Sequence, residues 1–241
     1  MNILQEIYNT KTKKLAVLLD PDDYNDYELE EAINLINNSV TNYIFFGGSL
    51  LSKEGFEEKI TKAKALAKKP IIIFPGSHQQ VSDKADAILF LSLISGRNPE
   101  FLIGNHVMAA PNLKKSGIEI LPTGYLLISG KTITTAHYVS NTLPIPYEKN
   151  DIAAVTALAG EMLGLKLIYI DAGSGAHKAI STEMINAVKS QINIPLITGG
   201  GLRTLEDIVS HFEAGSDMVV IGNTFKENPS ILSAISKYLQ I

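Results

Sequence analysis

The stretch "LIYIDAGSGAHK", residues 167–178, carries an acid, Asp171, at the end of an apolar run, and then Gly173 and Gly175 flanking Ser174. A carboxylate in that place can grip hydroxyls or accept a proton. Glycines let the backbone come close to an anion, and the free N–H groups where a helix begins donate to it. "TGGGL", with Gly200 and Gly201, and "IGN", with Gly222 and Asn223, have the same character. A tight turn explains any one of these loops; three that each lead into a helical pattern point to a phosphate group. Near the N-terminus "LLDPDD" puts Asp20, and "FFGGS" puts Ser49, directly after apolar runs. A carboxylate and a hydroxyl are hard oxygen ligands, suited to Mg²⁺ held by few protein groups and otherwise by water and substrate phosphates. Asp20 also fits a cap on the turn at Pro21 and Asp22, and Ser49 a helix cap. Taken alone, the cap reading prevails.

These residues need elements to gather them. Short apolar, β-branched runs recur along the chain: "KLAVLLD" (14–20), "NYIFFGGS" (42–49), "PIIIFPGS" (70–77), "AILFLSLIS" (87–95), "EILPTGYLLIS" (119–129), "KLIYIDAGSG" (166–175), "PLITGGG" (195–201) and "DMVVIGN" (217–223). Each is apolar almost throughout, as parallel strands covered on both faces are. Between them lie segments such as "DYELEEAINLINNS" and "TLEDIVSHFEAG", with apolar residues three and four apart, acids near the start and Gly or Asn near the end. The pattern predicts an α/β fold, a single-domain TIM (βα)8 barrel over residues 1–241. A doubly wound open sheet is the rival. The barrel is favoured because strand after strand ends in Asp, Gly, Ser or Asn, and closure brings all those ends around one mouth. The polar, proline-punctuated stretch 130–150 is expected to be a long loop after the fifth strand.

Composition narrows the function. With 45% apolar residues and a formal net charge of −4, the chain can bury a core and offers no field for nucleic acid. It has no cysteine, hence no disulfide, thiolate metal site or cysteine nucleophile. No run reaches the ~18 apolar residues of a membrane span, and "MNILQEIYNTKTKKLAVLLD" lacks a signal pattern, which together read as a cytoplasmic protein. The histidines, His78, His106, His137, His177 and His211, lack ligand spacing and read as ordinary surface or helix positions, with His177, just past the phosphate loop, the one functional candidate.

"LAVLLDPDD", "FFGGS", "LISGRNPEFLIGNH", "LPTGYLLI", "KLIYIDAGSGA", "ITGGGLRT" and "VVIGN", in that order over residues 15–223, resemble the geranylgeranylglyceryl phosphate synthase family, and most of all its longer second group from archaea and some bacteria. The resemblance implies a prenyltransferase joining sn-glycerol 1-phosphate to a polyprenyl diphosphate, such as geranylgeranyl diphosphate, through an ether bond in archaeal-type lipid synthesis. It implies Mg²⁺ on Asp20 and Ser49. Glycerol 1-phosphate would lie along Tyr169, Ile170, Asp171, Ala172, Gly173, Ser174 and Gly175, its phosphate held also by Gly200, Gly201, Gly222 and Asn223. Asp171 and Tyr169 would be the catalytic residues, and the chain would form a homo-oligomer. Arg97, in "SGRNPE", would meet diphosphate oxygens or make a surface ion pair. One departure stands out: the family generally has Glu where this chain has Asp171, a methylene shorter. Two other readings compete, a phosphate-binding barrel isomerase or lyase, and a non-catalytic phosphate-binding barrel.

Overall fold

The apolar runs form eight parallel strands: β1 Lys14–Leu19, β2 Tyr43–Phe46, β3 Ile71–Ile73, β4 Ala87–Leu93, β5 Glu119–Leu127, β6 Leu167–Asp171, β7 Leu196–Gly199 and β8 Met218–Ile221. They close in chain order, β8 returning to pair with β1, in a computed structural model that describes residues 2–9, 11–51, 53–129 and 134–239. The fold is the TIM barrel, and closure leaves no strand edge unpaired. Residues 130–133 of the long stretch after β5 lie outside the described residues.

The helices are α1 Ile3–Tyr8, α2 Asp26–Asn37, α3 Phe56–Leu66, α4 Asn105–Ser116, α5 Thr135–Ser140, α6 Asn150–Met162, α7 Thr182–Lys189, α8 Leu205–Glu213, α9 Asn223–Glu227 and α10 Ile231–Leu239. A π turn, Glu100–Gly104, leads into α4. The alternation is broken once. Residues 74–86, between β3 and β4, form no helix. That segment opens with Pro75 and Gly76, has too few apolar residues for a helical stripe, and buries Gln80 and Ser82 instead.

Side chains alternate along each strand between the barrel interior and the layer beneath the helices. On β6, Leu167 and Tyr169 join the interior cluster with Phe45, Leu89 and Ile197, whereas Ile168 and Ile170 join Ala153 and Ile185 under the helices. The sequence reading assigned no element to the N-terminal residues, yet α1 closes the barrel end opposite the site. Ile3 and Ile7 enter the interior cluster, and the Ile3 and Leu4 N–H groups donate to the Glu119 carboxylate at 2.7 and 2.9 Å. No helix among the described residues is long and apolar enough to cross a membrane.

Candidate active site

The alternation that buries Tyr169 aims Asp171, two residues on, into the mouth. Its carboxylate is 6% exposed and is pinned on both oxygens. The Tyr125 hydroxyl donates to Oδ2 at 2.5 Å, and the Gly173 N–H donates to Oδ1 at 2.7 Å. Burial raises the Asp171 pKa, and these two bonds and nearby His137 only partly oppose the rise. Beneath it Tyr169 stacks on Phe74 with centroids 5.4 Å apart and meets Tyr125 edge-on at 5.4 Å, so the site has an aromatic floor. Tyr125 went unnoticed in the sequence because it reads there as one apolar strand residue among several.

Three loops meet beside this acid. The Ser174 hydroxyl donates to Asn223 Oδ1 at 3.4 Å, joining the ends of β6 and β8, and the Thr224 hydroxyl donates to the Leu202 carbonyl, joining β8 to β7. Gly200 has φ +80°, and a Cβ there would fall 2.4 Å from Asp171 Oδ1 and 2.7 Å from the Gly173 nitrogen. Its missing side chain makes room for the acid, and its backbone remains on the cavity wall. Gly222 is different: with a φ of −125°, its Cβ would meet nothing nearer than Leu18 at 3.7 Å. No neighbour demands glycine there, and the open space belongs to the cavity. Ser174, Gly175, Gly200, Gly201, Gly222 and Asn223 all line that cavity. Ile170 and Ala172 point into the outer layer, and the Ala172 N–H already donates to the Gly199 carbonyl at 3.2 Å.

Across the mouth Asp20 and Ser49 line the same cavity. Asp20 does act as a cap, accepting the Asp22 N–H at 3.0 Å on Oδ1. Its Oδ2 lies so close to Gly48 that a Cβ there would be 2.2 Å away. Burial raises its pKa from 3.8 to about 6, with Asp23 and Asp22 adding to the rise against the Asp22 N–H bond and Lys226. A carboxylate short of compensating charge fits a cation. As hard oxygen donors Asp20 and Ser49 fit a Mg²⁺ that keeps water and phosphate oxygens; among the described residues no group of three or more acidic or histidine ligands occurs.

Arg97 instead turns back on its own segment, donating to the Gly96 carbonyl at 2.7 Å and the Ile94 carbonyl at 3.4 Å. The basic group at this side of the cavity is Lys226 of α9, 3.0 Å from Asp23 and above the Tyr24 ring. Sequence spacing gave no sign of it beyond its place one turn after Asn223. The histidines fall at helix positions in three cases, as expected: His106 lies on α4, His137 on α5 and His211 on α8, all three buried, whereas His177, the functional candidate, is exposed outside the cavity lining. His137 belongs to α5, whose Ala136, Val139 and Ser140 roof the cavity, while its Nδ1 accepts the Thr134 N–H at 3.0 Å. The long stretch after β5 is thus part of the site.

The cavity has a volume of about 630 Å³. From the polar mouth it continues between β3, β4 and α4 over Val81, Ile88, Phe90, Phe101, Ala109 and Leu113, where the ring lacks its helix after β3. A TIM barrel whose strand ends hold a buried acid and converging glycine loops, with an apolar gallery alongside, defines a binding site for a ligand polar at one end and apolar at the other. The chain belongs to the PcrB family, whose model matches residues 8–239. A geranylgeranylglyceryl phosphate synthase of Chitinophaga pinensis is 47% identical over 224 residues, covering 93% of this chain and 89% of its own. One from Pyrococcus abyssi is 38% identical over 243 residues, 100% and 95% of the two chains. The crystal structure of the (S)-3-O-geranylgeranylglyceryl phosphate synthase of Thermoplasma acidophilum, in complex with its substrate sn-glycerol-1-phosphate, superposes with a TM-score of 0.92 at 31% identity, covering 100% of this chain and 98% of that one.

Proposed function

We propose that the protein is a Mg²⁺-dependent prenyltransferase joining sn-glycerol 1-phosphate to a polyprenyl diphosphate, geranylgeranyl diphosphate being the first candidate. The observation that carries this reading is one continuous cavity. It runs from the Asp171 carboxylate and the glycine loops, past Asp20 and Ser49, into an apolar gallery. A barrel isomerase or lyase acting on a small phosphorylated metabolite has no use for that gallery. The names of the relatives and the ligand of the Thermoplasma structure point the same way.

In this reading the loops at Gly201, Gly222 and Asn223 hold the phosphate with backbone N–H groups, and Ser174 adds a hydroxyl. Asp171 orients the glycerol hydroxyls. As the acceptor oxygen bonds to C1 of the prenyl chain and the bond from C1 to the diphosphate oxygen breaks, its proton passes to the Asp171 carboxylate. The raised pKa of Asp171 suits it to take that proton, and the Tyr125 and Gly173 hydrogen bonds fix the direction in which it does so. Asp20 and Ser49 would hold Mg²⁺, which when bound neutralises charge on the leaving diphosphate. Tyr169 and Phe74 form an apolar floor that excludes water from the reacting carbon. No protein nucleophile is involved, and positioning and electrostatics supply the acceleration. Self-association is part of the proposal, supported by Ile103, Val107 and Met108, which stand exposed on the π turn and α4.

The test is to saturate the protein with glycerol 1-phosphate, add prenyl diphosphates of graded length with Mg²⁺, and follow ether product by mass. Product is expected with long chains. Retained glycerol phosphate binding without product at any length would mark a non-catalytic barrel and refute the proposal.

A further inference from the structure

The helix-free segment between β3 and β4 carries a glutamine, Gln80, that is only 4% exposed. Its amide is used at both ends. Nε2 donates to the Gly48 carbonyl at 3.1 Å, and Oε1 accepts the Gly76 N–H at 3.1 Å. A buried amide costs free energy unless both its ends are satisfied, and here each end is satisfied by a different loop.

The loop it grips is the one that bears Ser49. Gly47 and Gly48 carry the chain out of β2 without side chains to anchor it. A Cβ on Gly48 would fall 2.2 Å from Asp20 Oδ2, and one on Gly76 would fall 2.3 Å from the Gly48 oxygen and 2.5 Å from the Ser49 oxygen. The Gly48–Ser49 backbone is therefore sandwiched between the Asp20 carboxylate and the chain at Gly76, and Gln80 fastens the two backbones together. Rotating the Gly48 carbonyl out of this bond would carry the Ser49 side chain with it and change its distance from Asp20.

We infer that Gln80 is a positioning residue for the diphosphate half of the site: it fixes the Gly48 peptide so that Ser49 and Asp20 face a common Mg²⁺–diphosphate group. This rests on the metal reading proposed above. Among the described residues Gln80 forms no hydrogen bond with the loops after β6, β7 and β8, so its influence falls on one half of the mouth. Gln80→Met keeps the length and removes both bonds. Gln80→Glu keeps an acceptor for Gly76 and turns a carboxylate oxygen against the Gly48 carbonyl.

The experiment is calorimetric titration of the full chain with inorganic diphosphate and Mg²⁺, with glycerol 1-phosphate saturating so that the glycine loops are already filled. Glycerol 1-phosphate binding is measured separately on every variant. Both Gln80 variants are expected to weaken diphosphate about tenfold, equal to ~1.4 kcal/mol, and to leave glycerol phosphate within about twofold. If the Met variant does not fold, the Glu variant carries the test. Unchanged diphosphate binding in the Gln80 variants, alongside a loss in Asp20→Asn, overturns the role of Gln80 and leaves the metal reading intact. Equal weakening of both ligands also overturns it, marking a general packing role. Unchanged diphosphate binding in Asp20→Asn removes the metal reading and this inference with it.

Discussion

Asp20, the proposed Mg²⁺ ligand, is a carboxylate in an environment that disfavours its charge, and the conflict is measurable. Its pKa rises from 3.8 to about 6, mainly through burial. The folded state then binds this proton more tightly than the unfolded chain does. The stabilisation from the protonated form is present below pH ~3.8 and is lost as pH rises through about 6, leaving a destabilising charge at neutral pH. At 1.36 kcal/mol per pH unit the ceiling is ~3 kcal/mol. Solvent screening of a partly exposed carboxylate brings it to about 1–1.5 kcal/mol. Asn in its place keeps the side-chain oxygen that accepts the Asp22 N–H and carries no charge. Asp20→Asn should therefore melt roughly 2–6 °C above the native chain at pH 7.5 without metal, for a domain of this size. The gain should shrink to about half at pH 5. The same variant should need more Mg²⁺ for turnover and use prenyl diphosphate poorly. Scanning calorimetry at the two pH values, with an Mg²⁺ titration of product formation, reads both effects. A variant no more stable at pH 7.5, with an unchanged Mg²⁺ requirement, would refute the reasoning and return Asp20 to the role of a turn cap.

Other consequences are open to test. Asp171→Ala should remove most turnover while weakening glycerol 1-phosphate binding less, a split visible in kcat against calorimetric affinity. Tyr125→Phe deletes the 2.5 Å bond that holds the Asp171 pKa down, so the acid limb of the kcat–pH profile should move to higher pH. Gly222→Ala, whose added Cβ would stand in the cavity 3.7 Å from Leu18, should raise the KM for glycerol 1-phosphate. Gly200→Ala, at φ +80° and against Asp171, should lose about 1–3 kcal/mol of stability in denaturant melts.

The strands were legible because parallel barrel strands are covered on both faces and so read as unbroken apolar runs. Their ends were not. "PIIIFPGS" contains only the three-residue β3, since Phe74 beyond it is drawn into the aromatic floor and lengthens the apolar signal. The short helix α1 offers too few turns for a periodic pattern, and the missing helix after β3 shows only as a lack of period in residues 74–86. At the site, Asp171 and the glycine loops stood out because strand ends announce themselves. Tyr125, Gln80 and Lys226 did not, because each acts between neighbouring strand ends on a residue far away in sequence: Tyr125 on Asp171, Gln80 on Gly48, Lys226 on Asp23. His106, His137 and His211 stand on helices as read, but their burial was not legible, since it depends on which helix face meets the barrel.

The stopper formed by α1 gives the barrel a single working end. Ile3 and Ile7 fill its base and Glu119 latches the helix there, so nothing passes through the interior. Two substrates of opposite solubility and two products of opposite solubility must then share one doorway. In the proposed reaction diphosphate would depart straight into water from the side of Asp20, whereas the ether lipid would have its tail in the gallery beneath α4 and its phosphate head in the glycine loops. Its release would require both grips to loosen together, so departure of the lipid, rather than bond formation, is expected to limit turnover. A lipid surface or detergent brought to the open end should therefore speed turnover without touching the chemistry, and the closed end is the place for a tag that must not interfere.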